Sequence, residues 1–190
     1  MHGSEVRGGF QYPGKTYAGR FAHMPSANTC VACHDVHSTE VETDGCVACH
    51  RGVEDIRDIR TRHLDFDGDG QISGGIHTEI VGLQEQLYAA LQTYAAEVAD
   101  APIGYATGTF PYFFNDINAD GQISPDEAAF PNRYQSWTPR LLKAAYNYQV
   151  SKKDAGAYVH NPAYMLQLLY DSLESLSEQV DLGMSDLRRP

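Results

Sequence analysis

The chain has 190 residues with 14 Lys and Arg against 25 Asp and Glu, a formal charge of −11. That length is enough to bury a core in one domain or two small ones. The acidic balance and the lack of any basic run exclude nucleic acid and anionic membrane surfaces as partners. No apolar run is long enough to span a bilayer.

Residues 1–29 are rich in glycine, carry Pro13 and Pro25, and show no sustained periodicity. They read as an extended N-terminal arm with turns, suited to wrapping a cofactor or a neighbour.

Residues 30–34 read Cys-Val-Ala-Cys-His, and residues 46–50 repeat the same five letters. Two thiols two residues apart can form thioether bonds to one porphyrin, and the adjacent imidazole can bind its iron. Cys30, Cys33 and His34 therefore read as one c-type haem attachment site, and Cys46, Cys49 and His50 as a second. These are the only four cysteines, so no disulfide is available. A four-cysteine zinc site is the competing reading, but zinc does not require a histidine after each pair. On these motifs the chain resembles the multihaem c-type cytochromes, which pack haems on short, coil-rich segments. The resemblance implies two haem c groups and electron transfer as the activity. Such a segment, residues 30–62, is too small to form an apolar core without the porphyrins.

Further along, residues 54–62 predict a short charged helix. From about His77 to Asp100, Ile80, Leu83, Leu87, Leu91, Tyr94 and Val98 recur at steps of three and four and predict an amphipathic helix. Pro102 and a glycine-rich stretch end it. A short helix is expected from Pro125 to about Phe130. Thr138-Pro139 and Asn161-Pro162 each read as an N-cap followed by proline at the first helical position. The first opens a helix to about Ser151. The second opens one carrying Leu166, Leu169, Leu173, Leu176 and Val180 and ending near Gly183. The stretch from Trp137 to Leu176 is also similar to the C-terminal helical part of some multihaem cytochromes of anaerobic respiring microbes. The twelve tyrosines at helical spacing read as packing residues. The expected fold is mainly α with much coil and little or no β-sheet. A dihaem segment (30–62) would pack on a helical part (63–190).

Two acidic loops have EF-hand spacing. In the second, Asp116, Asn118 and Asp120 offer side-chain oxygens, Gly121 the sharp turn, Gln122 its carbonyl, Ser124 a further contact, and Glu127 a bidentate closing carboxylate. The first matches from Asp65 through Asp67, Asp69 and Gln71 to Ser73, but its twelfth position is Ile76, which cannot bind a metal. Glu79 is the expected substitute. Two calcium ions are expected, as a structural staple that stays filled at extracellular calcium levels. Ile72 and Ile123 occupy the position at which paired EF-hands form a short strand contact, so the loops are expected to face each other.

Two imidazoles per iron require two distal ligands from His2, His23, His37, His63, His77 and His160. The resemblance favours His37, placed to reach the second haem or a neighbour's. His23 can fold back over the first haem, and His160 can serve within the chain or across an interface. Met24 in place of a histidine would raise the potential.

The start lacks the apolar core of a signal peptide, whereas haem attachment of this kind follows export, so removal of a leader is expected. The protein is expected in the periplasm, on the cell surface or outside the cell. Its expected partners are redox proteins or further copies of itself. Assembly stays open between a filament subunit, as in extracellular cytochrome filaments, and a monomeric or complex-bound carrier. The enzyme alternative is a dihaem peroxidase or reductase with one open iron. Such enzymes are longer, with their motifs in separate domains.

Overall fold

The computed structural model describes residues 8–190. The first part of the expected N-terminal arm, and His2 with it, lies outside the described residues. In chain order the helices are α1 (Asp44–Val47), α2 (Ile76–Glu97), α3 (Pro139–Lys153), α4 (Ala157–His160) and α5 (Pro162–Ser177). Two short strands, β1 (Ile103–Tyr105) and β2 (Phe113–Asn115), pair antiparallel with Gly104 opposite Phe114. The fold is mainly α with much coil, as the periodicity implied.

The long helices form where the sequence caps them. The Thr138 side chain accepts a hydrogen bond from the Leu141 amide, and that of Asn161 accepts from the Tyr164 amide. Each satisfies an amide that the first helical turn leaves without a partner, and Pro139 and Pro162 cost nothing where no donor is needed. The apolar stripes of α2, α3 and α5 then meet in one core. Leu83, Leu87 and Leu91 of α2 are fully buried beside Leu141 and Ala144 of α3 and Leu166, Leu169 and Leu176 of α5. Each such leucine contributes about 1.5–3 kcal/mol by leaving water. Val98, counted with the α2 stripe by spacing, is 41% exposed, because the helix ends before it.

Several local expectations are corrected. Residues 54–62 form a single 3-10 turn, Ile56–Asp58, in which the Asp55 carboxylate accepts from the Arg57 amide. That local bond competes with a helix. Pro125 to Phe130 is not a helix: Ser124 and Glu127 bond reciprocally as a capping box does, but the chain becomes extended at Ala129, two residues before Pro131, and a 3-10 turn follows at Phe130–Asn132. The last helix stops at Ser177, short of Gly183. The chain there folds back, burying Val180 and Leu187 and joining the Arg188 amide to the Phe66 carbonyl at 3.1 Å.

The described part of the arm is extended and lies along the helical part. The Asn147 amide group receives the Phe10 N–H at 2.6 Å and donates to the Phe10 carbonyl at 3.0 Å. Gln167 accepts from the Ala18 amide at 2.7 Å, and Asn161 donates to the Gly19 carbonyl at 2.7 Å. The arm thus delivers residues 20–29 to the Cys-rich segment. No residue from 30 to 62 is fully buried. That segment has no apolar core of its own.

Candidate cofactor and metal sites

Both Cys-x-x-Cys-His motifs fold as tight turns. The His34 amide donates to the Cys30 carbonyl at 2.9 Å, and the His50 amide donates to the Cys46 carbonyl at 2.9 Å. Each turn brings its histidine back over its own cysteines. Burial pushes the Cys46 thiol up, and the nearby Cys33 adds to the effect, so the two motifs adjoin.

Each motif histidine faces a second histidine from a distant part of the chain. The His34 ring centre lies 6.3 Å from that of His160, with 40° between the planes. The His50 ring centre lies 6.2 Å from that of His23, at 45°. Metal–imidazole bonds of about 2.0–2.1 Å on opposite faces of one ion, with the distance from nitrogen to ring centre added, separate the rings by roughly 6.3 Å. Both pairs therefore have the spacing that a shared iron requires.

The hydrogen bonds at the first pair fix the tautomer of both rings. His34 Nδ1 is 2.8 Å from the Thr39 carbonyl oxygen, and His160 Nδ1 is 2.6 Å from an Asp154 carboxylate oxygen. Both Nδ1 atoms are thereby fixed as donors, so Nε2 is the atom through which either ring would bind a metal. Burial pushes the Asp154 carboxyl up, but its hydrogen bond and charge interaction with His160 outweigh burial and hold it below the usual range. At the second pair, His23 Nδ1 is buried without a hydrogen-bond partner. A buried nitrogen in that state is costly unless another group completes it. The sulfur of Met24, considered above as an alternative ligand, lies 4.0 Å from that of Cys49.

The distal candidates thus separate. His160 stands opposite His34, and His23 stands opposite His50, the histidine of the second motif rather than the first. His37 is exposed; its amide is tied to the Asp35 carboxylate, and its ring stands opposite neither motif histidine. His77 packs edge-on against Tyr158. His63 lines a cavity of about 350 Å³ shared with Cys49 and His50.

The acidic loops follow one hydrogen-bonding plan. The amide of the sixth residue donates to the first carboxylate in both: Gly70 to Asp65 at 2.8 Å, and Gly121 to Asp116 at 2.7 Å. The seventh donates to the fifth: Gln71 to Asp69 at 2.6 Å, and Gln122 to Asp120 at 2.8 Å. Gly70 and Gly121 have φ of 78° and 81°, where a side chain would be strained. Glu79 accepts from the Phe66 amide at 2.7 Å, as Glu127 accepts from the Ile117 amide at 2.9 Å. Glu79, three residues late in sequence, therefore holds in the first loop the place of Glu127 in the second.

Oxygens of Asp65, Asp67 and Glu79 come within 4.8 Å of one another, the only such group of three among the described residues. Asp67 and Glu79 are 6% and 2% exposed. Burial, together with the Glu79 and Asp69 carboxylates, pushes Asp67 up to about 7. Concentrated buried negative charge of this kind suits a hard cation with oxygen ligands. Glu79 is also ion-paired with Arg60, whose second guanidinium nitrogen lies 3.0 Å away. In the second loop, bonds from the Ser124 amide and hydroxyl and the Ile117 amide hold Glu127 below the usual range.

The loops do not pair through Ile72 and Ile123. Ile72 is 45% exposed beside the cavity at His50, and Ile123 packs against Gly104. The loops instead follow one another along α2. Gln86 donates to the Asp67 carbonyl, and Gln92 donates to the Gly121 carbonyl. Those two anchors are about 9 Å apart along the helix. The missing helix after Pro125 removes the partner element that would bring the loops face to face.

Two curated proteins of Geobacter sulfurreducens resemble the chain. The C-type polyheme cytochrome OmcC is 26% identical over 150 residues, covering 75% of this chain and 17% of OmcC. The C-type polyheme cytochrome OmcB is 24% identical over 209 aligned positions, covering 90% of this chain and 25% of OmcB. The chain is thus similar to C-type polyheme cytochromes. It spans a quarter or less of the length of either protein. No protein-family model matches it, and no solved structure does.

Sequence reasoning missed Thr39, Asp154 and Arg60. No motif marks them: Thr39 and Asp154 lie five and six residues from the histidines they orient, and Arg60 lies 19 residues from Glu79.

Proposed function

We propose that this chain is a dihaem electron-transfer unit, each iron held by two histidines: His34 with His160, and His50 with His23. The observation that carries the reading is the separation of 6.3 Å and 6.2 Å between the paired rings. Cys30 and Cys33 would hold one haem, Cys46 and Cys49 the other. Bound there, haem supplies a one-electron centre at each iron.

The chain's own residues fix the remaining properties. Histidine on both faces leaves no coordination position for a substrate, so outer-sphere electron passage is the activity. Thr39 and Asp154 orient the imidazoles of the first pair, and the carboxylate at His160 makes that imidazole a stronger donor. Two imidazole ligands favour low potentials. The juxtaposition of Cys33 and Cys46 supports passage from one centre to the other.

Calcium at Asp65, Asp67, Asp69, the Gln71 carbonyl and Glu79, and at Asp116, Asn118, Asp120, the Gln122 carbonyl and Glu127, would tie both loops to α2. Its role in this reading is a staple. It neutralises buried carboxylates and fixes the helical part against which the arm and α4 present His23 and His160.

Attachment of this type follows export, so the protein works outside the cytoplasm, with redox proteins or further copies of itself as partners. No helix among the described residues is long and apolar enough to cross a membrane. Both histidine pairs are completed within one chain, so neighbouring copies in a filament need lend no ligand.

The test is the absorbance spectrum of the native protein, oxidised, reduced with dithionite, and reduced under carbon monoxide. Sharp low-spin c-type bands that carbon monoxide leaves unchanged are expected. A Soret shift under carbon monoxide would reveal an open iron and move the assignment to a peroxidase or reductase, and a colourless protein would refute haem altogether.

A further inference from the structure

Arg60 sits between the first acidic loop and the cavity beside His50. Its side chain is 4% exposed, and its terminal nitrogens are engaged by Glu79. Its Nε is buried with no hydrogen-bond partner, and Arg60 lines the 350 Å³ cavity with Cys49, His50, Asp58 and His63. A guanidinium has five donors in a fixed fork and cannot be deprotonated, so a buried donor without an acceptor is a standing cost. With the terminal nitrogens on Glu79, the donor left over is Nε–H, and a carboxylate is a strong acceptor for it. Asp58, which also lines the cavity, is exposed and makes no hydrogen bond to Arg60 among those described.

We propose that Arg60 binds a carboxylate side group of the haem attached at Cys46 and Cys49, while Glu79 holds the guanidinium in place from the opposite side. This rests on reading Cys46 to His50 as a haem site. Haem carries two propionate carboxylates, and the cavity shares its wall with the second cysteine and the histidine of that motif. Arg51, exposed at the rim, adds positive charge but is not fixed by a buried partner. Arg60 would therefore neutralise one propionate of the second haem, and its positive charge would favour the reduced iron of that haem alone.

The experiment is an optical potentiometric titration of the holoprotein, with its haem content and low-spin bands recorded alongside. Arg60→Gln should lower one of the two midpoint potentials and leave the other in place, with both haems retained. Arg60→Lys keeps the charge but has no Nε–H donor at that place, and should fall between the wild type and Arg60→Gln. If Arg60→Gln fails to fold because Glu79 is left buried without its partner, the double variant Arg60→Gln with Glu79→Gln carries neither charge and should lower the same midpoint. Wild-type midpoints in these variants, with haem content intact, would overturn the proposal, and full restoration by lysine would reduce Arg60 to a distant charge and overturn the contact. Failure of the underlying haem reading is separately visible, because a protein without haem has no midpoint to titrate.

Discussion

The imidazoles of His34 and His160 face each other across 6.3 Å, one fixed through Nδ1 by the Thr39 carbonyl and the other by the Asp154 carboxylate. One follows a Cys-x-x-Cys turn near the N-terminus, and the other closes a four-residue helix in the C-terminal part. Replacing His160 by alanine is expected to open one iron of the two. Carbon monoxide should then shift about half of the Soret intensity of the reduced protein. His23→Ala should open the other iron, and His37→Ala should open neither. A carbon monoxide response in His37→Ala but not in His160→Ala would reverse the assignment.

In the proposed site Asp154 would reach the iron only through His160. Asp154→Asn keeps a hydrogen-bond acceptor but removes the charge that strengthens the imidazole as a donor. Loss of such a partner typically costs 10- to 100-fold in metal affinity or activity. Here the expected result is a higher midpoint potential for one haem, with low-spin bands retained. Equal midpoints in Asp154→Asn and wild type would separate Asp154 from the ligand set.

Calcium binding at the first loop should strengthen with pH. Burial, with the Glu79 and Asp69 carboxylates, raises Asp67 to about 7 in the folded metal-free protein, whereas an unfolded aspartate titrates near 3.9. From about pH 4 to 7 the unfolded chain gives up a proton that the folded chain retains, so the metal-free protein loses stability across that window. An ion needs the carboxylate and removes the penalty. The gain in melting temperature on adding calcium should therefore be larger at pH 8 than at pH 5.5. At a hundredfold excess over Kd it corresponds to about 2.7 kcal/mol. Asp67→Asn should remove the pH dependence of this gain, and Glu79→Gln should reduce the gain itself. A calcium shift of equal size at both pH values would contradict the assignment of Asp67 as a ligand.

Asn147, fully buried, holds the arm by bonds to both polar backbone groups of Phe10 and donates to the Ser172 hydroxyl at 2.9 Å. Asn147→Ala removes the partner of the part-buried Phe10 N–H and carbonyl, at about 1–3 kcal/mol for each group that water does not reach, while Ser172 keeps its bonds to Tyr12 and to the Leu168 carbonyl. The expected outcome is a lower melting temperature together with faster proteolysis of the arm. Because the same arm carries His23, carbon monoxide reactivity at one haem should rise as the arm loosens. A destabilised variant with an unchanged carbon monoxide response would uncouple the arm from the second histidine pair.

Chemistry that depends on neighbours in the chain was legible without coordinates. The Cys-x-x-Cys-His turns, the loop oxygens from Asp65 and Asp116, and the caps at Thr138 and Asn161 all act over fewer than about six residues, a range that local spacing describes. The α2 and α5 stripes were legible because burial imposes the helical period on the sequence. Glu79 was legible only by elimination, since Ile76 cannot bind a metal.

What the sequence could not rank was the distal histidines. The resemblance favoured His37, placed to reach the second haem or a neighbour's, whereas the fold leaves it exposed and sets His160 from α4 and His23 from the arm opposite the motif histidines. Nothing local predicts those meetings. They depend on α5 packing against α2 and α3, on Asn147 pinning the arm, and on Asp154 turning one imidazole. The helix expected after Pro125 ends after a single turn because Ala129 is extended ahead of Pro131, although Ser124 and Glu127 form a capping box. The sequence determined that two Cys-x-x-Cys-His motifs, two acidic loops and a helical core are present. Tertiary structure alone decided which histidines oppose each other, that the loops lie in series along α2, and that Arg60 joins one of them to the cavity at His50. Those relations are set by side chains distant in the chain, and only packing brings such groups within bonding range.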